Sequence, residues 1–415
     1  MQKEYLSAEN IKYQLANLKQ LTFEVTDGCN LQCKYCAYGE FYNDYDKRKN
    51  QKIGLLAALK LIDYLKVFWA SNRNVSFNQN TYISFYGGEP LLNMPFIKSI
   101  VDYIEKLKSV NRSFTFSMTT NAILLKRNIE FLVAKDFNLL ISLDGSEYNN
   151  SYRVDKADKS VFQKIVKNID LIKSKYPDYF ERKVDFNAVL HNRNSVAEIY
   201  HFFKERYNKT PSIGELNNMG IREDKKDLFY ATYRNSYESL HQSENYEKIE
   251  RDMFLNLESY QSLTTFLHQY SGFVYRNYTD LLFGKSKKTI PTGTCVPFGK
   301  RIFVTVNGKI LPCERIGQQF ALGKITENGV ELDMEAIAKK YNAYYAKLDK
   351  YCKKCYAANT CKQCIFNLPD LESNSPLCHG FTGKESFERY KNRQIEFLRK
   401  HPKEYYRIME GVVIE

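Results

Sequence analysis

The first half of the chain alternates between short β-like apolar runs and longer segments in which apolar residues recur at helical spacing. In residues 53–69, for example, Leu55, Leu59, Ile62 and Leu65 fall on one helical face. Strands that alternate with helices are typical of successive βα units and a parallel sheet. The pattern predicts an α/β fold with six strands, at residues 21–26, 82–86, 114–119, 139–143, 184–190 and 213–219.

The ten cysteines fall into two groups along the chain. Cys29, Cys33 and Cys36 directly follow the first predicted strand, and the next cysteine is Cys295. If the cysteines were scattered as small buried hydrophobes, about six would lie in that gap. Clusters of metal ligands therefore explain the distribution better. The later group consists of Cys295, Cys313, Cys352, Cys355, Cys361, Cys364 and Cys378.

The early group has the spacing C-x3-C-x2-C, which offers three thiolates where an iron-sulfur cluster normally has four. An open coordination position separates a catalytic metal site from a closed structural one. The pattern resembles that of the radical S-adenosylmethionine (SAM) enzymes. The resemblance implies a 4Fe-4S cluster on Cys29, Cys33 and Cys36, whose remaining iron chelates the amino and carboxylate groups of SAM. It also implies a partial (β/α)6 TIM-like barrel, with its active site at the carboxyl ends of the strands.

Segments that follow the predicted strands extend this resemblance. Gly87 and Gly88 let the backbone approach a ligand closely, and they begin a GGEP segment that binds the SAM amino group in the family. Residues 119–121 resemble the family's TNG turn, although Ala122 stands in place of the glycine. Relatives bind the SAM carboxylate with a serine and an arginine, and an arginine fork suits that anion. The residues thereby implied in cofactor binding are Tyr35, Gly87, Gly88, Glu89, Pro90, Asn121, Ser142, Arg153 and Leu190, with Tyr35 and Leu190 against the adenine.

Several of these residues also have a plain structural interpretation. The Asp144-Gly145 pair fits an ordinary turn, Asn121 fits a helix cap and Leu190 fits a core position. The sequence leaves these alternatives open.

The later cysteines allow two kinds of metal site. Cys352-x2-Cys355 and Cys361-x2-Cys364, taken alone, fit the two knuckles of a structural zinc site. The whole set of seven resembles the SPASM extension of radical SAM enzymes, which holds two auxiliary 4Fe-4S clusters. That family usually has three residues between the last two knuckle cysteines, where this chain has two. Carried over position by position, the resemblance implies a distal cluster on Cys352, Cys355, Cys361 and Cys378, and a proximal cluster on Cys295, Cys313 and Cys364.

The proximal set implied in this way is one thiolate short. Some relatives supply an eighth cysteine six positions before the one matched by Cys295, and this chain has Thr289 there. We therefore expect an open iron or a ligand other than cysteine, such as water, a carboxylate or a substrate sulfur.

The length of 415 residues and the apolar share of 43% suit a catalytic domain with a smaller appendage. Residues 301–310 predict a hairpin with an Asn307-Gly308 turn that leads to Cys313. Only about 20 residues precede the first strand, too few for a winged-helix domain that would bind a leader peptide. The expected division is an N-terminal lead at 1–19, the radical SAM partial barrel at 20–220, a bridging region at 221–290, the SPASM auxiliary-cluster domain at 291–383 and a C-terminal helix at 384–415.

Charge and hydropathy restrict the classes of partner, and the location, that we expect for this chain. The formal net charge is +13, and the three clusters would lower it to about +9. Because the basic residues are dispersed and no nucleic-acid-binding signature occurs, we expect no nucleic-acid partner. An acidic peptide and a merely solvated basic surface both remain open. The first residues contain no apolar signal segment and no apolar run approaches about 18 residues, which predicts no membrane association and a location in the reducing cytoplasm.

The resemblance as a whole implies a peptide maturase. Such an enzyme uses a 5'-deoxyadenosyl radical to abstract hydrogen from a ribosomally made precursor peptide and installs a thioether, carbon-carbon or carbon-oxygen cross-link. The implied partners are a precursor peptide with a leader, a low-potential electron donor such as flavodoxin or ferredoxin, and, as an open alternative, a separate leader-binding protein. The residues between 206 and 290 match no motif of the family.

Two other functions compete with this interpretation. The anaerobic sulfatase-maturating enzymes form formylglycine on the same architecture and place an aspartate base after the cysteine matched by Cys313. This chain has Glu314 there, which is either a catalytic proton acceptor or a carboxylate paired with Arg315. The third candidate is a non-catalytic iron-sulfur protein for leader binding or electron transfer, which would need neither the early cysteines nor GGEP.

Overall fold

The computed structural model describes residues 4–411 except 44, 76–79, 108–111, 219, 254–257, 271–277, 285–289 and 369. The chain divides into two compact units. The sheet unit comprises residues 8–252 and 296–334, and the cysteine-rich unit comprises residues 1–7, 253–295 and 335–415. The early cysteines and Cys313 belong to the sheet unit, whereas the other later cysteines belong to the cysteine-rich unit.

Six parallel strands follow one another in chain order through the sheet unit, which confirms the α/β prediction. The first five lie within two residues of their predicted bounds. The sixth is shorter than predicted, because the chain leaves the sheet after Glu215 and the Asn217 carbonyl accepts a hydrogen bond from the Tyr42 hydroxyl at 2.8 Å. Met219, the predicted end of that strand, lies outside the described residues. The strands are β1 (Gln20–Thr26), β2 (Asn80–Gly87), β3 (Ser113–Thr120), β4 (Asn138–Ser142), β5 (Val184–Leu190) and β6 (Ser212–Glu215).

Helices connect the parallel strands, as βα units require. In the helix after β1, Ile62 and Leu65 are buried as predicted, Leu55 and Leu59 are half-buried, and Trp69 completes the buried stripe. The helices of this unit are α1 (Ala8–Ala16), α2 (Leu55–Trp69), α3 (Met94–Glu105), α4 (Leu125–Ala134), α5 (Phe162–Lys175), α6 (Pro177–Lys183), α7 (Val196–Tyr207), α8 (Lys226–Thr232), α9 (Ser236–His241) and α10 (Tyr246–Asp252).

Four short strands extend the sheet beyond β1: β7 (Ile302–Val304), β8 (Lys309–Leu311), β9 (Gly323–Thr326) and β10 (Gly329–Glu331). β7 runs parallel to β1, and β7 and β8 form the antiparallel hairpin predicted from the sequence. Gly308 in its turn has a φ of +76°, a conformation that favours glycine. Cys313 therefore follows a strand of the same sheet as β1, which the early cysteines follow.

The cysteine-rich unit is mainly helical, with α11 (Glu258–Tyr270), α12 (Tyr278–Phe283), α13 (Met334–Cys352), α14 (Lys384–Lys400) and α15 (Pro402–Gly411). Its apolar cluster joins Phe266 and Leu267 of α11 to Ile408 of α15, with Tyr390 and Phe397 of α14 packed against it. Across the described ranges, we find no helix that combines the length and apolar character needed to cross a membrane.

Phe137, just before β4, is fully buried in the core of the sheet unit. Its ring centroid lies 5.4 Å from that of Phe116 and 5.8 Å from that of Phe85. Aromatic contacts of this kind add to the free energy of burying the ring.

We expect Phe137→Ala to lower the free energy of unfolding by about 3–5 kcal/mol, because it leaves a cavity among aromatic rings. Leu56→Ala on the exposed face of α2 is the control, with an expected change within about 0.5 kcal/mol. Urea unfolding followed by circular dichroism measures both. Equal effects of the two substitutions would contradict this account of the core.

Candidate functional site

Cys29, Cys33 and Cys36 are half-buried on the segment that follows β1, which we call the cysteine loop (residues 27–43). Backbone hydrogen bonds tie this loop to residues 152–154: the Gln32 amide donates to Val154 at 2.8 Å and the Lys34 amide to Tyr152 at 3.0 Å. The three predicted ligands thus lie on one ordered loop at the carboxyl end of a parallel strand.

Burial and neighbouring thiolates oppose the ionisation of Cys29 and Cys33. Burial raises the pKa of Cys29 to about 11, and the Cys36 thiolate adds to that rise. Burial likewise raises the pKa of Cys33 to about 12, with further contributions from Cys36 and Cys29. A positively charged metal core would reverse this penalty, because metal binding favours deprotonated thiols.

The chemistry of the three side chains fits an iron-sulfur cluster, because thiolates are the usual ligands of such clusters. In the part of the chain that the structure describes, no group of three or more His, Cys, Asp or Glu side chains is arranged to hold a single metal ion.

The Gly87-Gly88 pair at the end of β2 packs directly on the start of the cysteine loop. Gly87 has a φ of +124°, and a Cβ atom there would lie 2.3 Å from the Thr26 carbonyl oxygen. A Cβ atom at Gly88 would lie 2.0 Å from the Gly28 carbonyl oxygen. Glycine is therefore required at both positions by the close approach of two backbone segments, and GGEP lies beside the thiols.

Glu89 is fully buried and links the ends of two strands. Its carboxylate accepts hydrogen bonds from the Leu91 amide at 3.1 Å, the Thr120 hydroxyl at 2.8 Å and the Asn121 amide at 2.8 Å. Burial nevertheless raises the pKa of Glu89 to about 7. Pro90, also buried, begins the short helical turn that Glu89 caps.

Asn121 extends this link to the cysteine loop. Its amide nitrogen donates to the Asn30 side chain at 2.7 Å and lies 3.7 Å from the Cys29 sulfur. Ala122 next to it has a φ of +66°, so the residue that replaces the family's glycine still adopts the left-handed conformation. Asn121 is therefore a direct neighbour of Cys29.

Tyr35 and Arg153 meet on Asp144, just beyond β4. The Arg153 guanidinium donates from Nε at 3.0 Å and from Nη2 at 2.9 Å, and the Tyr35 hydroxyl donates to the same carboxylate. The Tyr35 ring also stacks on His191 with centroids 5.5 Å apart. Ser142, at the end of β4, is half-buried.

Leu190 at the end of β5 has no solvent exposure, as its interpretation as a core residue expects. Neither Asp144 nor His191 was among the residues predicted to bind the cofactor. Their position directly after strands β4 and β5 is the signal that could have found them.

Glu314 lies beside Cys313 after β8, with its carboxylate 3.6 Å from the cysteine sulfur. Arg301 is its main partner at 2.5 Å, whereas Arg315 is 4.0 Å away and its side chain is 87% exposed. The pairing with Arg315 considered from the sequence is therefore secondary. Glu314 pairs with Arg301 rather than with the adjacent Arg315, because the β7–β8 hairpin brings Arg301 next to it.

Tyr86 is influenced by charges from both the Glu314 side and the cysteine loop. Burial raises the pKa of Tyr86 to about 12, and the negative charges of Glu314 and Cys36 both add to the rise. Cys36 and Glu314 thus both act on the pKa of one half-buried phenol within the sheet unit.

Arg48 and Tyr38 were not predicted to belong to the site. The Arg48 guanidinium lies 4.1 Å from the centroid of the Tyr38 ring, a cation–π distance. Burial and the Glu24 charge raise the pKa of Tyr38 well above its usual value. The positive charge of Arg48 also lowers the pKa of Cys29. Arg48 stands in a polar stretch without a motif, so sequence alone gave no signal for it.

Two groups of neighbouring thiols occur in the cysteine-rich unit. Burial raises the pKa of Cys352 to about 11, and Cys361, Cys378 and Cys355 act on it as further negative neighbours. For Cys364, burial raises the pKa and Cys295 is the neighbouring thiolate. The assignment of these thiols to a distal and a proximal cluster stays a prediction.

A close backbone contact with Gly293 fixes the segment that carries Cys361 and Cys364. A Cβ atom at Gly293 would lie 2.3 Å from the Cys361 carbonyl oxygen, and the Gly293 amide donates to Gln363 at 2.9 Å. Thr289, the position of the missing eighth cysteine, lies outside the described residues.

Comparison with known proteins gives one family and several relatives. Residues 23–203 match the model of the radical SAM superfamily. The cysteine-type anaerobic sulfatase-maturating enzyme of Clostridium novyi is 30% identical over 46% of this chain and 49% of that protein, so the match spans about half the relative's length. The corresponding enzyme of Clostridium perfringens (strain ATCC 13124) is 25% identical over 89% of this chain and 95% of that protein.

The fold also matches a solved structure, that of native anSMEcpe with bound AdoMet and Kp18Cys peptide. The TM-score is 0.59 at 19% identity, over 95% of this chain and 99% of that chain.

We expect Gly88→Ala to displace the cysteine loop, because the new Cβ would overlap the Gly28 carbonyl oxygen. Overpacking of this kind costs about 1–3 kcal/mol, and we expect weaker SAM binding and a lower iron content. Gly214→Ala on β6 is the matched control, since no atom lies within 4 Å of the position that its Cβ would take. Calorimetric SAM titration and iron analysis of anaerobic protein test this, and indistinguishable variants would contradict it.

Proposed function

Because the chain is a radical SAM enzyme of the SPASM type, we propose that it removes a hydrogen atom from a side chain of a peptide or protein substrate. The observation that carries the proposal is the cysteine loop with its three thiols, packed against Gly87-Gly88 at the carboxyl end of β1. A protein that only binds peptides or carries electrons would need no such combination.

The cofactors are SAM and a 4Fe-4S cluster, which together supply one-electron cleavage of SAM and a radical that abstracts hydrogen. We propose that Cys29, Cys33 and Cys36 hold this cluster. Gly87 and Gly88 would bind the SAM amino group through exposed backbone.

The remaining cofactor contacts also come from the ends of the strands. Ser142 and Arg153 would face the carboxylate of SAM, and Tyr35 and Leu190 would flank its adenine. Glu89, Pro90 and Asn121 would hold the GGEP segment against the cysteine loop.

The chain's own contribution to an oxidation is to accept a proton and exclude water. A two-electron oxidation of a substrate side chain releases a second electron and a proton after the hydrogen atom is removed. Glu314 is the carboxylate that would take this proton, and the Arg301 contact orients it beside Cys313. The seven later cysteines would hold two auxiliary 4Fe-4S clusters that accept the electron.

Similarity over nearly the whole chain favours formylglycine formation of the sulfatase-maturating type as the reaction. This reverses the order reached from the sequence alone, where a cross-linking maturase came first. The substrate would then be a cysteine or serine in a protein segment.

Cross-linking of a leader-bearing precursor peptide remains the second candidate. Two departures favour it: Thr289 replaces the eighth cysteine, and Glu314 replaces the aspartate that follows the matched cysteine in sulfatase maturases. An open iron in the proximal cluster would suit a substrate that ligates it. A low-potential flavodoxin or ferredoxin and a separate leader-binding protein would be the partners.

We expect reconstituted protein to contain about twelve irons and to form 5'-deoxyadenosine under dithionite, because three clusters of four irons are proposed. In the Cys29/Cys33/Cys36→Ala variant, iron should fall to about eight and SAM cleavage should cease. Anaerobic iron and sulfide analysis with chromatography of 5'-deoxyadenosine measures both.

Two other outcomes have distinct meanings. About four irons with bound zinc would mean that the later cysteines form a zinc module and that the auxiliary clusters do not exist. Undiminished 5'-deoxyadenosine in the triple variant would refute the assignment of the first cluster.

We expect Glu314→Gln to lower oxidised product by about 10²-fold while 5'-deoxyadenosine still forms, because only proton acceptance is removed. Arg315→Gln, in the exposed neighbour, should change product little. Mass spectrometry with an aldehyde-trapping hydrazide, on cysteine-containing peptides, measures the product. Trapped aldehyde supports formylglycine formation, whereas loss of two hydrogens without aldehyde supports a cross-link. Equal losses in both variants would remove Glu314 from the mechanism.

A further inference from the structure

Asp144 is a buried carboxylate on which three parts of the chain converge. It accepts hydrogen bonds from the Tyr35 hydroxyl of the cysteine loop, from Nε and Nη2 of Arg153, and from the Val189 amide of β5 at 2.9 Å. Its side chain has no solvent exposure and that of Arg153 is 7% exposed. A carboxylate so placed fixes the position of every donor around it.

The cysteine loop reaches Asp144 by two routes. The first is direct, through Tyr35, which stands between the ligands Cys33 and Cys36. The second runs through the segment of Arg153, because the residues on both sides of this arginine accept hydrogen bonds from Gln32 and Lys34. Movement of the carboxylate would therefore release the loop at two points.

His191 completes the packing around this carboxylate. Its Nε2 lies 3.8 Å from Asp144, and its Nδ1 accepts a hydrogen bond from the Arg193 amide at 3.1 Å. With the ring held in this orientation, it stacks against Tyr35. The tyrosine is thus fixed both at its hydroxyl and on its face.

The ion pair also lies within electrostatic reach of a cluster ligand. Burial alone would raise the pKa of Asp144, but Arg153 and His191 lower it to about 2, so the carboxylate is charged at neutral pH. Both charged groups contact Tyr35, two residues after Cys33: the Arg153 guanidinium lies 5.5 Å from the centroid of the Tyr35 ring, and the Asp144 carboxylate accepts from its hydroxyl. The two charges therefore oppose each other beside the site of the cluster.

We propose that Asp144 is a positioning residue that holds Tyr35 and Arg153 against the cysteine loop and offsets the Arg153 charge beside the cluster. The proposal rests on the function proposed above and adds to it the group that orders the SAM-facing side of the site. Asp144 itself touches neither cluster nor cofactor in this role.

Two substitutions separate the positioning effect from the charge effect. Asp144→Asn removes the charge and weakens the hydrogen bonds, whereas Tyr35→Phe removes one hydrogen bond and no charge. Asp63→Asn is the control, because Asp63 accepts from the Tyr103 hydroxyl on the exposed surface, away from the cysteine loop. Redox titration followed by electron paramagnetic resonance gives the potential of the SAM-responsive cluster.

We expect Asp144→Asn to shift this potential to less negative values, because an uncompensated Arg153 favours the reduced, more negative cluster. Tyr35→Phe and Asp63→Asn should leave the potential unchanged. An unchanged potential in Asp144→Asn, or an equal shift in Tyr35→Phe, would overturn the electrostatic part of the proposal.

Hydrogen exchange and SAM binding test the positioning role of Asp144. Both Asp144→Asn and Tyr35→Phe should increase hydrogen exchange in residues 29–38, and Asp144→Asn should weaken SAM binding about tenfold, since it leaves the buried Arg153 without its charged partner. Wild-type exchange in Tyr35→Phe would overturn this part, and that variant decides the matter if Asp144→Asn does not fold. A wild-type protein that binds no SAM would instead refute the proposed function, while the exchange measurement would still test the anchor.

Discussion

The geometry of the site depends on one close contact, the approach of the Gly87-Gly88 backbone to the start of the cysteine loop. At Gly88 the neighbouring carbonyl oxygen of Gly28 leaves no room for a side chain. The contact joins the ends of β1 and β2, so the thiols and GGEP are positioned by the sheet itself. From there Glu89 reaches the end of β3 and Asn121 returns to Cys29. Glu89 and Asn121 are thus positioned through contacts that begin at Gly88 and end at the cysteine loop.

The pKa values of the buried cysteines indicate what kind of group this framework would bind. Cys29 and Cys33 lie where burial and neighbouring thiolates oppose ionisation, so a metal core is the group that would stabilise their charged forms. We expect cluster loading to be coupled to the ordering of the loop for this reason. The cysteine-rich unit repeats the pattern, since Cys352 lies among three other thiols of its proposed cluster.

Local sequence patterns predicted the positions of strands and turns, because these depend mainly on neighbouring residues. Short β-like apolar runs located the first five strands within two residues, and the Asn307-Gly308 pair located the hairpin turn. The ligand sets implied by the cysteine spacing stay a prediction. The sixth strand was predicted too long, because the hydrogen bond from Tyr42 to Asn217 is a tertiary contact that propensity does not contain.

Contacts between distant residues could not be predicted in this way. Tyr35 and Asp144 are 109 positions apart, and their hydrogen bond exists only because β4 ends beside the cysteine loop. The pairing of Glu314 with Arg301 rather than with adjacent Arg315 likewise follows from the hairpin. Arg48 over Tyr38 lies in a stretch with no pattern at all. These residues carry much of the charge of the site, which explains why a motif alone describes it incompletely.

The central claim is that three thiolates leave one iron open to SAM. Electron-nuclear double resonance of the reduced protein, with SAM labelled by ¹⁷O in its carboxylate and ¹⁵N in its amino group, tests it most directly. The account predicts hyperfine coupling from both labels, lost in the Cys29/Cys33/Cys36→Ala variant. Spectra that do not change with either label would contradict it.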